Sequence, residues 1–309
     1  MPTLDVPIDE FFGDIPESTK TGLYYTVVTL FVISTLASTL LSAAFLVLSI
    51  ALWSHFKPIR FFWFLSQLTF SVFVLSASNL LINVPATLSL LSKDVADSAI
   101  FKFISYLIDF CHYSIIFSNL IIAVQRGFVF FLRDLTDTVF NPPIIYVWLA
   151  LVWVLSYGVE YILMSSNCSY RYEVKPRRYE MKCESVAQSS LIVNSATPTG
   201  IQLVETILQI LLPTLIFLIY LAIIIKIVYM KRSALNKNEI LILKQAIFVF
   251  VFFQSSSIVF LAAQIFEISN VTAFLVKRFV NTMEIFGGAA TPSFFFFTSK
   301  EIRKLVSTR

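Results

Sequence analysis

Residues 21–56 read TGLYYTVVTLFVISTLASTLLSAAFLVLSIALWSHF, thirty-six positions without one Asp, Glu, Lys or Arg. The hydrocarbon core of a bilayer is about 30 Å thick and takes about 20 helical residues to cross. This stretch therefore predicts a membrane-spanning helix. Working outward, further charge-free stretches lie at 61–92, 110–125, 138–159, 206–225, 246–266 and 285–299. The short ones, 110–125 and 285–299, continue through single charges (Asp109; Glu284 and Lys277) into more apolar sequence. Lipid offers no water to satisfy open backbone groups, so each span is expected to be helical. The expected helices are 23–53, 61–91, 99–132, 142–164, 200–229, 243–267 and 273–297. The fold class expected is an all-α membrane protein, a seven-transmembrane helix bundle occupying 23–297. An acidic tail, 1–22, precedes it, and a short amphipathic C-terminal helix and tail, 298–309, follow.

Composition agrees with that class. Of 309 residues, 57% are hydrophobic and 14% charged, with 32 Phe and only 7 Gly. Soluble domains carry nearly twice that share of charge. Three cysteines are too few for a disulfide framework. A net charge of +4 carried by so few ionic groups gives no basic surface for nucleic acid. Residues 1–22 hold Asp5, Asp9, Glu10, Asp14 and Glu17 against one lysine. A cleavable signal peptide starts basic and then turns apolar, so this segment is expected to be a mobile acidic tail instead.

Lys and Arg mark the cytoplasmic side of a membrane protein. With the N-terminus outside, thirteen of the basic residues fall inside and ten outside. Five of those ten (Arg171, Lys175, Arg177, Arg178 and Lys182) lie in the long loop 165–199. The glycosylation triplets starting at Asn167 and Asn270 fall in loops that this topology also places outside. Cys168 and Cys183 share the long outer loop, where oxidation is permitted. A bridge between them would close a loop of about 15 residues, worth up to about 3 kcal/mol. Two free thiols are the alternative. Cys111 is expected to be a small buried hydrophobe in the third span.

Polar groups inside spans tend to face the bundle interior. Ser105, Asp109, His112, Asn119 and Arg126 fall within a sector of about 100° on the third helix. Lys277, Asn281, Glu284, Gly288 and Thr291 step by 4, 3, 4 and 3 along the seventh. Glu205 and Gln209 (with Gln202) mark the fifth, Ser257, Gln264 and Glu267 the sixth, and Trp153, Tyr157 and Glu160 the fourth. Most of these sit in the outer half and together predict a water-accessible cavity open to the outside. An interhelical hydrogen-bond network without a ligand is the competing reading. The ligand-site candidates are Asp109, His112, Glu205, Gln209, Gln264, Asn281 and Glu284, which favour a cationic or hydrogen-bonding ligand. Only His55 and His112 occur, far apart, so no histidine zinc site is expected. No phosphate-cradling glycine loop or nucleophile elbow is present, and neither enzymatic chemistry nor a cofactor is expected.

Several local features resemble the G-protein-coupled receptor plan. Gln125-Arg126-Gly127 stands where that family has an acid-Arg-aromatic triplet. Pro213 and Tyr220 resemble its fifth-helix proline and inner tyrosine. Thr291-Pro292-Ser293-Phe294-Phe295 stands where Asn-Pro-x-x-Tyr occurs, and Ile302-Arg303 resembles the start of its membrane-surface helix. The third helix has no cysteine at its outer end, the second no Asp, and the sixth no proline. This Phe-rich chain is similar to nematode serpentine chemoreceptors. The resemblance implies a multi-pass plasma-membrane receptor, with sensory cilia as one such membrane. Its implied partners are an extracellular small molecule, the lipid bilayer and a cytoplasmic heterotrimeric G protein. Arg126 would be the switch residue, held by Glu239 in the resting state, with Lys231, Arg232 and Lys237 facing the G protein. A small membrane transporter or channel subunit is the rival reading; the only Gly/Pro-rich break near mid-membrane is Gly287-Gly288.

Overall fold

The computed structural model describes residues 15–91, 98–165, 168–173, 177–185, 193–195, 199–230 and 237–298. Seven long helices run through them. Helix α1 is Gly22–Ala51. Helix α2 runs from Arg60–Ser78 through a π-helical turn, Asn79–Asn83, into Val84–Thr87. Helices α3 and α4 are Ala99–Phe131 and Ile144–Ser165. Helix α5 runs from Thr199–Thr206 through a π-helical turn, Ile207–Leu211, into Leu212–Met230. Helices α6 and α7 are Lys237–Ile265 and Asn270–Thr298. These helices lie within a few residues of the bounds expected from sequence, the largest shift being the earlier start of α6. Six of them are long and apolar enough to cross a membrane. Helix α7 equals them in length but carries Lys277, Arg278 and Glu284 in its first half.

The helices close a ring. Helix α7 packs on α6 and α1, α1 on α2, α2 on α3, α3 on α5, and α5 on α6; α4 leans on α3 from outside. The core is aromatic and branched: Phe31, Phe64, Leu68, Val72, Ile115, Ile122 and Phe253 meet in one buried cluster. Two glycines set the close approach of α7. A Cβ on Gly287 would stand 2.9 Å from the Phe253 ring, and one on Gly288 would stand 3.1 Å from Val72 and 3.3 Å from Ile115. Helix α7 runs unbroken through both, so the pair serves packing and makes no break.

Hydrogen bonds stitch the ring where it is dry. Ser38 and Ser76 join α1 to α2, and Ser71 and Ser114 join α2 to α3, each at 2.8 Å. Gln67 Nε2 donates to the Leu149 carbonyl at 2.9 Å, joining α2 to α4. Thr291 Oγ1 donates to Asn119 Oδ1 at 3.3 Å, joining α7 to α3. Bonds of this kind contribute about 0.6 kcal/mol each in membrane bundles.

One end of the bundle carries a three-stranded antiparallel sheet: β1, Cys168–Glu173; β2, Arg178–Ser185; and β3, Val193–Ser195. It occupies the long loop, for which no sheet was expected. Arg177, with φ 62°, closes the turn into β2, and its carbonyl accepts from Ile268 N–H at 2.7 Å. Tyr179 is buried; its hydroxyl donates to the Ala273 carbonyl at 3.0 Å and its ring lies 5.4 Å from Phe260. The hairpin is thus pinned to the ends of α6 and α7.

Three expectations need correction here. The N-terminal segment is not wholly a free tail: Ile15 is buried with Tyr24, Val28, Phe274 and Leu275, where α1 meets α7. The fourth-helix stripe does not face inward as a set, because Tyr157 is 63% exposed while Glu160 is buried. Glu267 lies beyond the end of α6 and is exposed. The acidic residues before Ile15 and the expected C-terminal amphipathic segment after Thr298 lie outside the described residues.

Candidate functional site

The hairpin end of the bundle holds a cluster of charges between α3 and α7. Helix α3 starts after Ser98, whose hydroxyl accepts the Phe101 N–H at 3.2 Å. That cap fixes the phase that turns Asp109 and His112 toward α7. Ser269 performs the same service for α7, accepting the Thr272 N–H at 3.2 Å. From there the 4-3-4-3 stripe carries Lys277, Asn281, Glu284, Gly288 and Thr291 along the face that meets α3 and α2. Gly288 touches α2 and α3, and Thr291 bonds Asn119, so the deep end of the stripe faces those helices.

His112 Nδ1 lies 3.5 Å from Glu284 Oε2, and the two side chains are 18% and 21% exposed. Asp109, one turn nearer the hairpin end, feels the charges of Lys277, His112 and Glu284. Lys277 also acts on Glu284. Asp109 has an exposed surface and lies within electrostatic range of these groups. Four ionisable groups from two helices form the best-defined polar site among the described residues.

Of the other ligand-site candidates, Gln209, Gln264 and Asn281 are half-buried on α5, α6 and α7. Gln264 Nε2 is buried with no hydrogen-bond partner among the described residues. The Glu205 side chain lies outside the described residues. At Gln209 it is the main chain that acts. Pro213 has no N–H to give the carbonyl four residues earlier. Ser257 Oγ from α6 donates to that Gln209 carbonyl instead, at 2.6 Å.

Arg126 lies near the opposite end of α3. Its Nη1 donates to Tyr220 Oη of α5 at 3.3 Å, and its guanidinium stands 4.8 Å from the Phe61 ring of α2 and 5.6 Å from the Tyr220 ring. Glu239 and Lys237 sit in the first turn of α6, but their side chains, like all of Lys231 and Arg232, lie outside the described residues. A short helix, Arg133–Val139, is tied to α2 by Arg60 and Asp137 at 2.6 Å.

Arg278 was missed by the stripe reading. It is 1% exposed, with its guanidinium 5.5 Å from the Phe31 ring and 5.1 Å from the Phe274 ring. An arginine four residues after Phe274 in an apolar helix is the signal that marks it. Two further expectations concern the hairpin end. Cys168 and Cys183 are register partners across β1 and β2; their side chains, and Asn167, lie outside the described residues. Asn270 is buried at the start of α7, and the Thr272 hydroxyl of its triplet is engaged with Ser269 at 2.8 Å.

Residues 13–309 match the family described as protein of unknown function (DUF621). No curated protein matches the chain.

Proposed function

The chain belongs to the DUF621 family, and we propose that it is a seven-helix chemosensory receptor that binds an extracellular ligand and activates a heterotrimeric G protein. On this reading α7 crosses the membrane with the other six, and the hairpin end faces outside. The observation that carries the reading is the charge cluster of Asp109, His112, Lys277 and Glu284 on α3 and α7, with His112 Nδ1 3.5 Å from Glu284 Oε2. Ionic groups inside an apolar bundle cost energy and mark a functional site by default. Arg126, near the other end of the same helix, gives the site a route to a cytoplasmic partner. The basic residues favour the same orientation, thirteen against ten.

A transporter or channel subunit is the second reading, and the π-helical turns of α2 and α5 favour it. Interrupted helices line substrate sites in transporters. Reconstitution separates the two. A receptor raises nucleotide exchange on an added G protein when stimulus is present, and Arg126→Ala removes the effect. Solute or ion flux across liposomes with no G protein, unchanged in Arg126→Ala, would establish the second reading instead.

A further inference from the structure

We propose that the ligand is a small elongated zwitterion, with its anionic end at Lys277 and its cationic end between Asp109 and Glu284. The inference rests on the receptor reading only in taking the α3–α7 cluster as the ligand site.

Depth orders the charges. Both helices run inward from the hairpin end, α3 from Ala99 and α7 from Asn270. At about 1.5 Å of rise per residue, Lys277 lies about 10 Å along α7 and Glu284 about 21 Å. Asp109 and His112 lie about 15 Å and 20 Å along α3. The 3.5 Å contact of His112 with Glu284 confirms that those two share a level. From the hairpin end inward, the order is therefore a lysine, a carboxylate about one turn further in, and then a carboxylate with its histidine.

The order selects among ligands. A simple amine would be drawn to Asp109 and Glu284 but must pass the ammonium of Lys277, which acts on both carboxylates. A simple acid would pair with Lys277 and then face two carboxylates. A molecule with both charges satisfies both ends with direct contacts. The two levels are separated by about 10 Å of helix rise, less the reach of the Lys277 side chain. An ω-amino acid with several carbons between its charges spans that gap better than an α-amino acid. Asn281, between Lys277 and Glu284 on the same stripe, offers a neutral hydrogen-bonding group to the middle of such a molecule.

The experiment is direct binding to the purified chain in lipid nanodiscs, with no G protein, so that a failure of coupling does not bear on the result. The probes are ω-amino acids of four to eight carbons, the α-amino acids, and the alkylamines and alkanoic acids that lack one charged end. Charge-assisted hydrogen bonds at each end predict that the best ω-amino acid binds about tenfold or more tighter than either truncated analogue. Lys277→Gln is expected to erase its advantage over the matching amine. Glu284→Gln is expected to erase its advantage over the matching acid. Equal affinity of amine and zwitterion for the wild-type protein, or no binding by any zwitterion, would overturn the proposal. So would an advantage that persists in correctly folded Lys277→Gln. If Lys277→Gln fails to fold, the wild-type ranking and Lys277→Arg, which must keep the advantage, decide the matter.

Discussion

Gly288 shows how closely single residues are fitted in this bundle. Its missing side chain lets α7 rest on Val72 of α2 and Ile115 of α3, both branched and both fully buried. Gly288→Val is expected to destabilise the protein by about 1–3 kcal/mol, the cost of overpacking a close-packed core. Thermal unfolding of the purified protein in detergent checks this; an unchanged midpoint would mean that α7 stands further out. At this scale the sequence was legible where spacing and polarity coincide. His112 and Glu284 were placed on their stripes by period alone, and they lie 3.5 Å apart. Arg278 was not legible in that way. It lies one position, about 100°, from the Lys277 stripe, and it turns toward α1 to meet Phe31. A period argument finds groups that share a face, and a buried cation on another face needs its aromatic partner to be known.

The ties between elements follow from what each helix lacks. Helix α5 lacks a donor at Pro213, and its π-helical turn, Ile207–Leu211, lies just before that proline. Ser257 Oγ reaches the released Gln209 carbonyl at 2.6 Å and also lies 3.0 Å from the Phe253 carbonyl of its own helix. A hydroxyl has one proton, so the tie between α5 and α6 competes with a bond inside α6. Ser257→Ala is expected to cost about 0.6–1.7 kcal/mol. Pro213→Ala restores an N–H to the same carbonyl, so Ser257→Ala should cost less in that background. Unfolding of the four proteins of this cycle gives the answer, and equal costs would rule out the shared carbonyl. Apolar runs without charge specified the long helices to within a few residues. They left the hairpin unseen, because its strands alternate Cys168, Tyr170, Tyr172 and Tyr179, Met181, Cys183 with charged and polar residues, and a search for charge-free runs does not register a period of two. Its stability comes from outside, through Tyr179 and the Ile268–Arg177 bond. Within it Cys168 opposes Cys183, and opposed strand residues have Cα atoms about 4.5–5.5 Å apart, inside the range a disulfide spans. Peptide mapping without reductant is expected to recover the 168–183 linkage; two free thiols, or a link to Cys111, would refute it.

The whole molecule has two unlike ends joined by α3. At one end the cluster of Asp109, His112, Lys277 and Glu284 carries both acidic and basic groups; near the other Arg126 lies between α2 and α5. Between them α3 is bonded to α2 through Ser114 and to α7 through Asn119. A change in how α7 sits against α3 therefore reaches Asn119, two helical turns from Arg126. On the receptor reading, that displacement ends in the release of α6. Arg126 is engaged with Phe61 and Tyr220 in the structure. Glu239, in the first turn of α6, is the acid that topology brings nearest. A charge-assisted pair with Arg126 would hold α6 against α3 at rest. Glu239→Gln is then expected to raise nucleotide exchange in the absence of stimulus. Arg126→Ala is expected to abolish exchange while ligand affinity at the cluster stays as it was. If Arg126 only anchors the helix at the headgroups, Glu239→Gln leaves basal exchange unchanged and Arg126→Ala chiefly lowers the amount of protein at the cell surface. Measuring basal exchange, ligand affinity and surface amount on the same two variants tells a latch from an anchor.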